Sequence, residues 1–303
     1  MAINQELEKL LNDKSIKFTL ILGSGFHRQA QKKNSILSSW SLLLSTLKKE
    51  VQLTDQYHLD FEKIIQSEKP VSDDSSKTES DVIKRVQDLI KSQQDRIIDE
   101  STNCYPMRVF NPNKVSDVIS LNFDEIPELL LGKQKDVKVG KYINESSFKK
   151  SSKNAYDFLS TRYKPVIFND KKIIRFWHPH GVITNNKSIV LGAHRYAKMV
   201  SNTIRIRNHH LMEKKANAAD NTWYKCLIDN PVIIIGAGMS PSEWDMWYAL
   251  ASRDRTNGIS KPIFQMRECD CKQDAQHQWF EPLFTGMSFD QQWKKIEELF
   301  KTK

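Results

Sequence analysis

The chain has 303 residues, of which 39% are hydrophobic and 27% charged, and a formal net charge of +9. That length suits one large α/β domain with an insertion, and that composition excludes a disordered or fibrous chain. No apolar run approaches the ~20 residues that cross a bilayer. The charged, amphipathic start, with Ile3, Leu7, Leu10 and Leu11 on one helical face, is unlike a secretion signal, so a cytoplasmic protein is expected.

Lys17–Leu22 reads as a buried strand stopped by glycine, and it runs into Gly23-Ser24-Gly25-Phe26-His27. The pattern then turns helical. Ile36, Trp40, Leu43, Leu44 and Leu47 recur at near-helical spacing, followed by Leu59, Phe61, Ile64 and Ile65. Ser67–Asp81 is polar and reads as an exposed loop, and Val82, Val86, Leu89, Ile90 and Ile97 share a face of a second helix. Residues 30–105, approximately, thus form a helical insertion. Asp117–Leu121 is the next strand and runs into Asn122-Phe123-Asp124.

A basic insertion follows at approximately 128–165; between Lys133 and Lys164, nine Lys/Arg face three Asp/Glu. Such a patch meets water, an acidic partner or nucleic acid. Ile173–Trp177 is a strand running into His178-Pro179-His180-Gly181. Ser188–Leu191 reads as a short strand, and Val232–Ile235 is the most apolar run, leading to Gly236-Ala237-Gly238-Met239-Ser240 and a helix over Pro241–Ala251. Pro262–Met266 is the last predicted strand. Ser288, with Gln291 three residues on, opens a final helix striped by Phe289, Trp293, Ile296 and Phe300. Continuous rather than alternating apolar runs predict strands covered on both faces, hence one doubly wound, Rossmann-like parallel-sheet domain over 1–303.

Four segments carry candidate chemistry. Gly23-Ser24-Gly25 and Gly236-Ala237-Gly238 each follow a strand and precede a helix, where glycine lets backbone approach a pyrophosphate. Each is also an ordinary tight turn, and Arg28 occupies the third glycine position of the dinucleotide fingerprint. Asn122 at a strand end can orient a water or a ribose hydroxyl, although Asn before Asp is common turn chemistry. A strand-end His followed by Gly is well placed as a general base. The rival is a structural histidine, or a metal site joining His178-x-His180 to Cys269-x-Cys271, a spacing that matches no common zinc pattern. Cys104 and Cys226 are isolated, and free thiols are expected.

In order, GSGFH, LNFD, HPHG and GAGMS resemble the SIR2 superfamily, and more closely the SIR2-like NAD-hydrolysing domains of bacterial anti-phage systems. Sirtuins run Gly-Ala-Gly-x-Ser, Gln-Asn-Ile-Asp, His-Gly and a late Gly-x-Ser turn. SIVLGAHRY and SPSEWDMW look like two further features of the defence branch, and the four-cysteine zinc module of deacetylating sirtuins is missing. His27 stands where the first turn of the family has Ser. The resemblance covers roughly Lys17 to Arg255 and implies a sirtuin-type sheet without a zinc module.

The resemblance also implies an NAD glycohydrolase that releases nicotinamide and ADP-ribose and defends by depleting NAD. Asn122 would orient water or the nicotinamide ribose, His180 would be the base on a ribose hydroxyl, and Asp124 would meet the nicotinamide end. Gly23, Ser24, Gly25, Phe26, Gly236, Gly238 and Ser240 would line the ADP-ribose. NAD is the substrate, and no metal or membrane is expected. Control would come from homo-oligomerisation or from a separate sensor or ATPase subunit, through which nucleic acid could act. Two alternatives remain at this stage: a non-catalytic ADP-ribose- or nucleotide-binding module, and a nucleic-acid-acting subunit of a defence complex that uses the basic stretch.

Overall fold

The computed structural model describes residues 2–31, 35–47, 57–68, 75–100, 105–144, 162–212, 222–239, 243–257, 261–266 and 280–301. The strands in chain order are β1 (Ala2–Ile3), β2 (Phe18–Leu22), β3 (Val115–Ser120), β4 (Lys138–Val139), β5 (Ile143–Asn144), β6 (Arg162–Ile167), β7 (Ile173–Trp177), β8 (Val232–Ile235), β9 (Ile263–Gln265), β10 (Glu281–Pro282) and β11 (Phe284–Thr285). The helices are α1 (Gln5–Asn12), α2 (Gly25–Gln31), α3 (Trp40–Leu47), α4 (Tyr57–Glu68), α5 (Ser75–Glu100), α6 (Ile126–Gly132), α7 (Ala193–Met212), α8 (Trp223–Asp229), α9 (Trp244–Asn257) and α10 (Phe289–Leu299).

Every side chain of β2 and β8 is buried, as their continuous apolar sequences require. They pair in parallel at the centre of a nine-stranded sheet of order β10-β9-β8-β2-β3-β7-β6-β4, with β5 also on β6. The strands from β10 to β7 are all parallel. From β2 the chain builds outward through β3 to β7, then crosses back to lay β8 on the other side of β2. The topological switch point therefore lies between β2 and β8. β1 and β11 form a separate antiparallel pair.

Side chains alternate between two apolar layers. Leu20, Leu22, Val118, Phe176 and Ile233 join a layer with α1, the insertion helices, α6 and α10. Ile21, Ile119, Trp177 and Ile234 join the other, with α7, α8 and α9. Asp117, fully buried on β3, accepts Arg175 of β7 at 2.7 and 2.8 Å and the Trp177 indole N–H at 2.9 Å. That bidentate pair holds β3 and β7 in register. Among the described residues, no helix is long and apolar enough to cross a membrane.

The predicted parallel sheet holds at the centre and fails at one edge, where β6 pairs antiparallel with β7, and β4 and β5 with β6. A tight turn causes this: Phe168 and Lys172 close it, with Lys171 at φ +59, and so short a connection allows only an antiparallel partner. The predicted strand at Ser188–Leu191 is absent. Asn186–Ser188 is one 3-10 turn, and Ile189, Val190 and Leu191 are buried between Gly181 and Gly192, both at positive φ. A short apolar run reports burial, not extension.

The expected loop at Ser67–Asp81 holds the end of α4 and the start of α5, because the solvent face of a helix is as polar as a loop. Leu59 is 48% exposed, apart from buried Phe61, Ile64 and Ile65. The capping box at Ser288 and Gln291 forms as predicted. The basic insertion lies partly outside the described residues, as do Cys104, Cys269 and Cys271 entirely. Cys226 is a buried free thiol.

Removing Asp117 strands the Arg175 charge. Asp117→Ala is expected to lower the urea-unfolding free energy by about 3–5 kcal/mol, and Asp117→Ala with Arg175→Met to recover part of that loss. An equal loss in both variants would mean that the pair does not carry the effect.

Candidate functional site

Sheet order brings the four sequence segments side by side. Gly236–Met239 follows β8, Gly23–Gly25 follows β2, Asn122–Asp124 lies just beyond β3, and His178–Gly181 follows β7. All four leave the carboxyl ends of neighbouring parallel strands, where α/β sheets bind ligands. Asn122 and His180 each stand three residues beyond the paired Ile119 and Trp177, at matching positions on adjacent strand ends.

The two glycine turns lock into one another. Gly25 N–H donates to the Gly236 carbonyl at 2.7 Å. A Cβ on Gly23 would lie 2.5 Å from Ala237 Cα, and one on Gly236 would lie 2.2 Å from the Phe26 nitrogen. Gly236 also sits at φ +67, a region that L side chains avoid. Glycine is required here first by turn-against-turn contact. The Phe26 and His27 amides are turned inward too, onto the Gly23 and Ser24 carbonyls. Gly238, by contrast, is exposed with open space at its Cβ position. The Phe26 ring is fully buried against Tyr105, Phe110 and Trp293 and anchors α2. Ser240 lies outside the described residues.

Asn122 Nδ2 donates to the Gly23 carbonyl at 3.1 Å, tying the end of β3 to that of β2. Asp124 lies 3.0 Å from His27 Nε2 and accepts the Ile126 amide, while Tyr105 sits 3.2 Å from His27 Nδ1. Burial pushes the Asp124 carboxyl up, but His27 and the Ile126 N–H hold it below its ordinary value. His27 is therefore half of a buried pair.

The two histidines around Pro179 face different partners. His178 Nε2 lies 2.7 Å from Glu128 of α6. Burial works against its charge, yet Glu128 and Glu125 raise its pKa above the ordinary value. Glu125 in turn accepts Tyr142 at 2.9 Å and Lys164 at 2.8 Å, so one cation of the basic stretch is used internally. His180 Nε2 lies 3.1 Å from Asp245 of α9, whose other oxygen accepts the Tyr196 hydroxyl at 2.7 Å. The His58 ring, from α4 of the insertion, stacks on Tyr196 at 4.0 Å.

Between the ends of β2 and β3 and the insertion lies a cavity of about 20 Å³, room for one water. Ser24, Asn122 and Asp124 bound it on the sheet side; Ile36, Leu37, Trp40 and Leu43 close it from above. Trp40 packs edge-on against Phe123 at 4.8 Å. A larger cavity of about 620 Å³ lies by the segments that precede β3 and β7, at the opposite sheet edge, and includes none of the four motif segments.

No protein-family model and no curated protein matches this chain. The fold defines the class: a mixed α/β protein with a mostly parallel, helix-flanked sheet, compatible with the Rossmann-like arrangement. The motif residues singled out in the sequence meet at one edge, except Ser240, which is not described, and Phe26, which is core. Asp245 and Tyr196 lay inside two segments of the family resemblance, without a role. His58 and Glu128 lay on helices with no motif to mark them.

Gly236→Ala must move main chain on both turns. It is expected to cost upwards of about 3 kcal/mol, read as a fall in the urea midpoint, whereas Gly238→Ala is expected to stay within about 1 kcal/mol. His58 supplies a pH signature. Burial, then the charge of His180, lowers its pKa from 6.5 to about 4. As pH falls below 6.5 the unfolded chain takes up a proton that the folded chain refuses, so stability is lost until about pH 4. His58→Phe keeps an aromatic ring and lacks this proton, so its unfolding free energy is expected to drop by about 3 kcal/mol less across that window. Equal losses would place His58 in solvent.

Proposed function

We propose that this chain is an NAD glycohydrolase of the SIR2-like kind, a cytoplasmic effector that defends bacteria against phage by depleting NAD. The observation that carries the reading is the placement of Asn122 and His180, each three residues beyond the paired Ile119 and Trp177 of adjacent strands, beside two glycine turns at the switch point. Nicotinamide leaves NAD as a neutral group from a cationic precursor, through a transition state with oxocarbenium character. The protein has to place one water, take up a hydroxyl proton and exclude bulk solvent. In this reading Asn122 holds the water or the nicotinamide ribose, His180 takes the proton, and Asp124 faces the nicotinamide end. ADP-ribose would rest on Ser24 and the Gly236–Ser240 turn.

The cavity bounded by Ser24, Asn122 and Asp124 does not admit a dinucleotide, so in this reading its cover of Ile36, Leu37, Trp40 and Leu43 opens before NAD enters. That requirement supports control from outside, by self-association or by a separate sensor or ATPase subunit. A non-catalytic ADP-ribose-binding module would use the same turns without Asn122 or His180.

NAD consumption and nicotinamide release by the purified chain, across protein concentrations and with candidate partners, test the reading. Turnover is expected to fall at least about 100-fold in both Asn122→Ala and His180→Ala. Trp40→Ala, which trims the cover, is expected to raise turnover by the isolated chain. Binding of ADP-ribose with no turnover under any condition would favour the binding module.

A further inference from the structure

The strongest unassigned feature is the closed cluster behind His180. Asp245 is fully buried and both its oxygens are engaged, Oδ2 by His180 and Oδ1 by Tyr196. The Tyr196 oxygen also accepts the Asp245 backbone N–H at 3.1 Å, so residue and hydroxyl close a ring and the carboxylate cannot swing away. Three elements supply the cluster: the turn after β7, helix α7 and the first turn of α9. We propose that Asp245, held by Tyr196, is the positioning residue of His180: it holds Nε2 at the carboxylate, fixes the orientation of the ring at the sheet edge and stabilises its protonated form. This deepens the glycohydrolase reading and rests on it.

The logic is that of a carboxylate that orients an imidazole and stabilises its charged form without taking the proton itself. Among the described residues, the groups facing the ring also include Glu243 before α9, His58 on α4, the Tyr196 ring and the Leu121 carbonyl at the end of β3. Burial lowers the pKa of His180, and the Asp245 carboxylate, Glu243 and the Leu121 carbonyl together more than offset it. Burial and Asp245 keep the Tyr196 phenol protonated, hence a donor. In the step assigned to His180, a hydroxyl O–H bond breaks, its proton passes to the imidazole and the electron pair stays on the hydroxyl oxygen.

The base form of His180 grows in as pH rises, so the acid limb of kcat belongs to this ring. With Asp245 gone, burial acts with less opposition and the limb moves to lower pH. Asp245→Asn, Tyr196→Phe and Asp245→Glu are compared in the full chain. The readouts are the NMR titration and tautomer of nitrogen-15-labelled histidines, assigned against His180→Gln, and the pH profile of NAD turnover.

Asp245→Asn is expected to lower kcat about 100-fold or more with KM little changed, and to move both the acid limb and the His180 titration to lower pH. Tyr196→Phe, which removes one hydroxyl, is expected to act in the same direction and less, and Asp245→Glu to recover part of kcat. An unmoved His180 titration and tautomer in folded Asp245→Asn would overturn the proposal; if that variant does not fold, the same null result in Tyr196→Phe does so. A shifted titration in a chain that never consumes NAD would sink the glycohydrolase reading and leave the assignment of Asp245 to His180 standing.

Discussion

The Gly25 amide and the Gly236 carbonyl, 2.7 Å apart, join the two halves of the sheet where the strand order reverses. One such hydrogen bond is worth only about 1 kcal/mol net. Its importance is geometric: the bond forms only because neither turn carries a Cβ at the contact, and the obstacles are main-chain atoms that cannot rotate away. Asn122 extends the connection by donating to the Gly23 carbonyl, so the ends of β8, β2 and β3 are tied in sequence. The Asn122 side chain takes its position from that junction.

Around it stand three buried histidine–carboxylate pairs: His27 with Asp124, His178 with Glu128 and His180 with Asp245. Such pairs are poor sources of net stability compared with apolar packing, but they are costly to break, so they act mainly by fixing orientation. The divergence of His178 and His180 has a simple backbone origin. Strict alternation along β7 would aim both at the same helical layer. The turn closed by Gly181 N–H on the His178 carbonyl, with Gly181 at φ +102, breaks that alternation. His178 consequently meets α6, and His180 meets α9 in the other layer.

The central strands were legible because buried parallel strands leave an unmistakable mark, an unbroken aliphatic run ending in glycine or a polar residue. β6 escaped notice because Arg162, Lys164 and Pro165 interrupt its pattern, and the run at Ile189–Leu191 misled because burial and extension look alike over so few residues. At the candidate site, local context was enough to nominate Asn122 and His180. Asp245 and Tyr196 could not be paired with His180 in that way: 65 residues separate Asp245 from His180 and 49 separate it from Tyr196, and a partnership of that range has no local periodicity. The glycines were legible as turns, while their first duty, contact with each other, emerged only from the topology.

The helical insertion meets the rest of the chain through two ring contacts, Trp40 on Phe123 and His58 on Tyr196, and through Gln94 and Glu62, which accept the Glu125 and Ala193 amides, among other contacts. Neighbouring Leu42 and Leu59 point to solvent. Evolution can therefore treat the two sides of this insertion separately. Its outer surface can accept substitutions at little cost to packing, while positions 40 and 58 are tied to the rings beneath them.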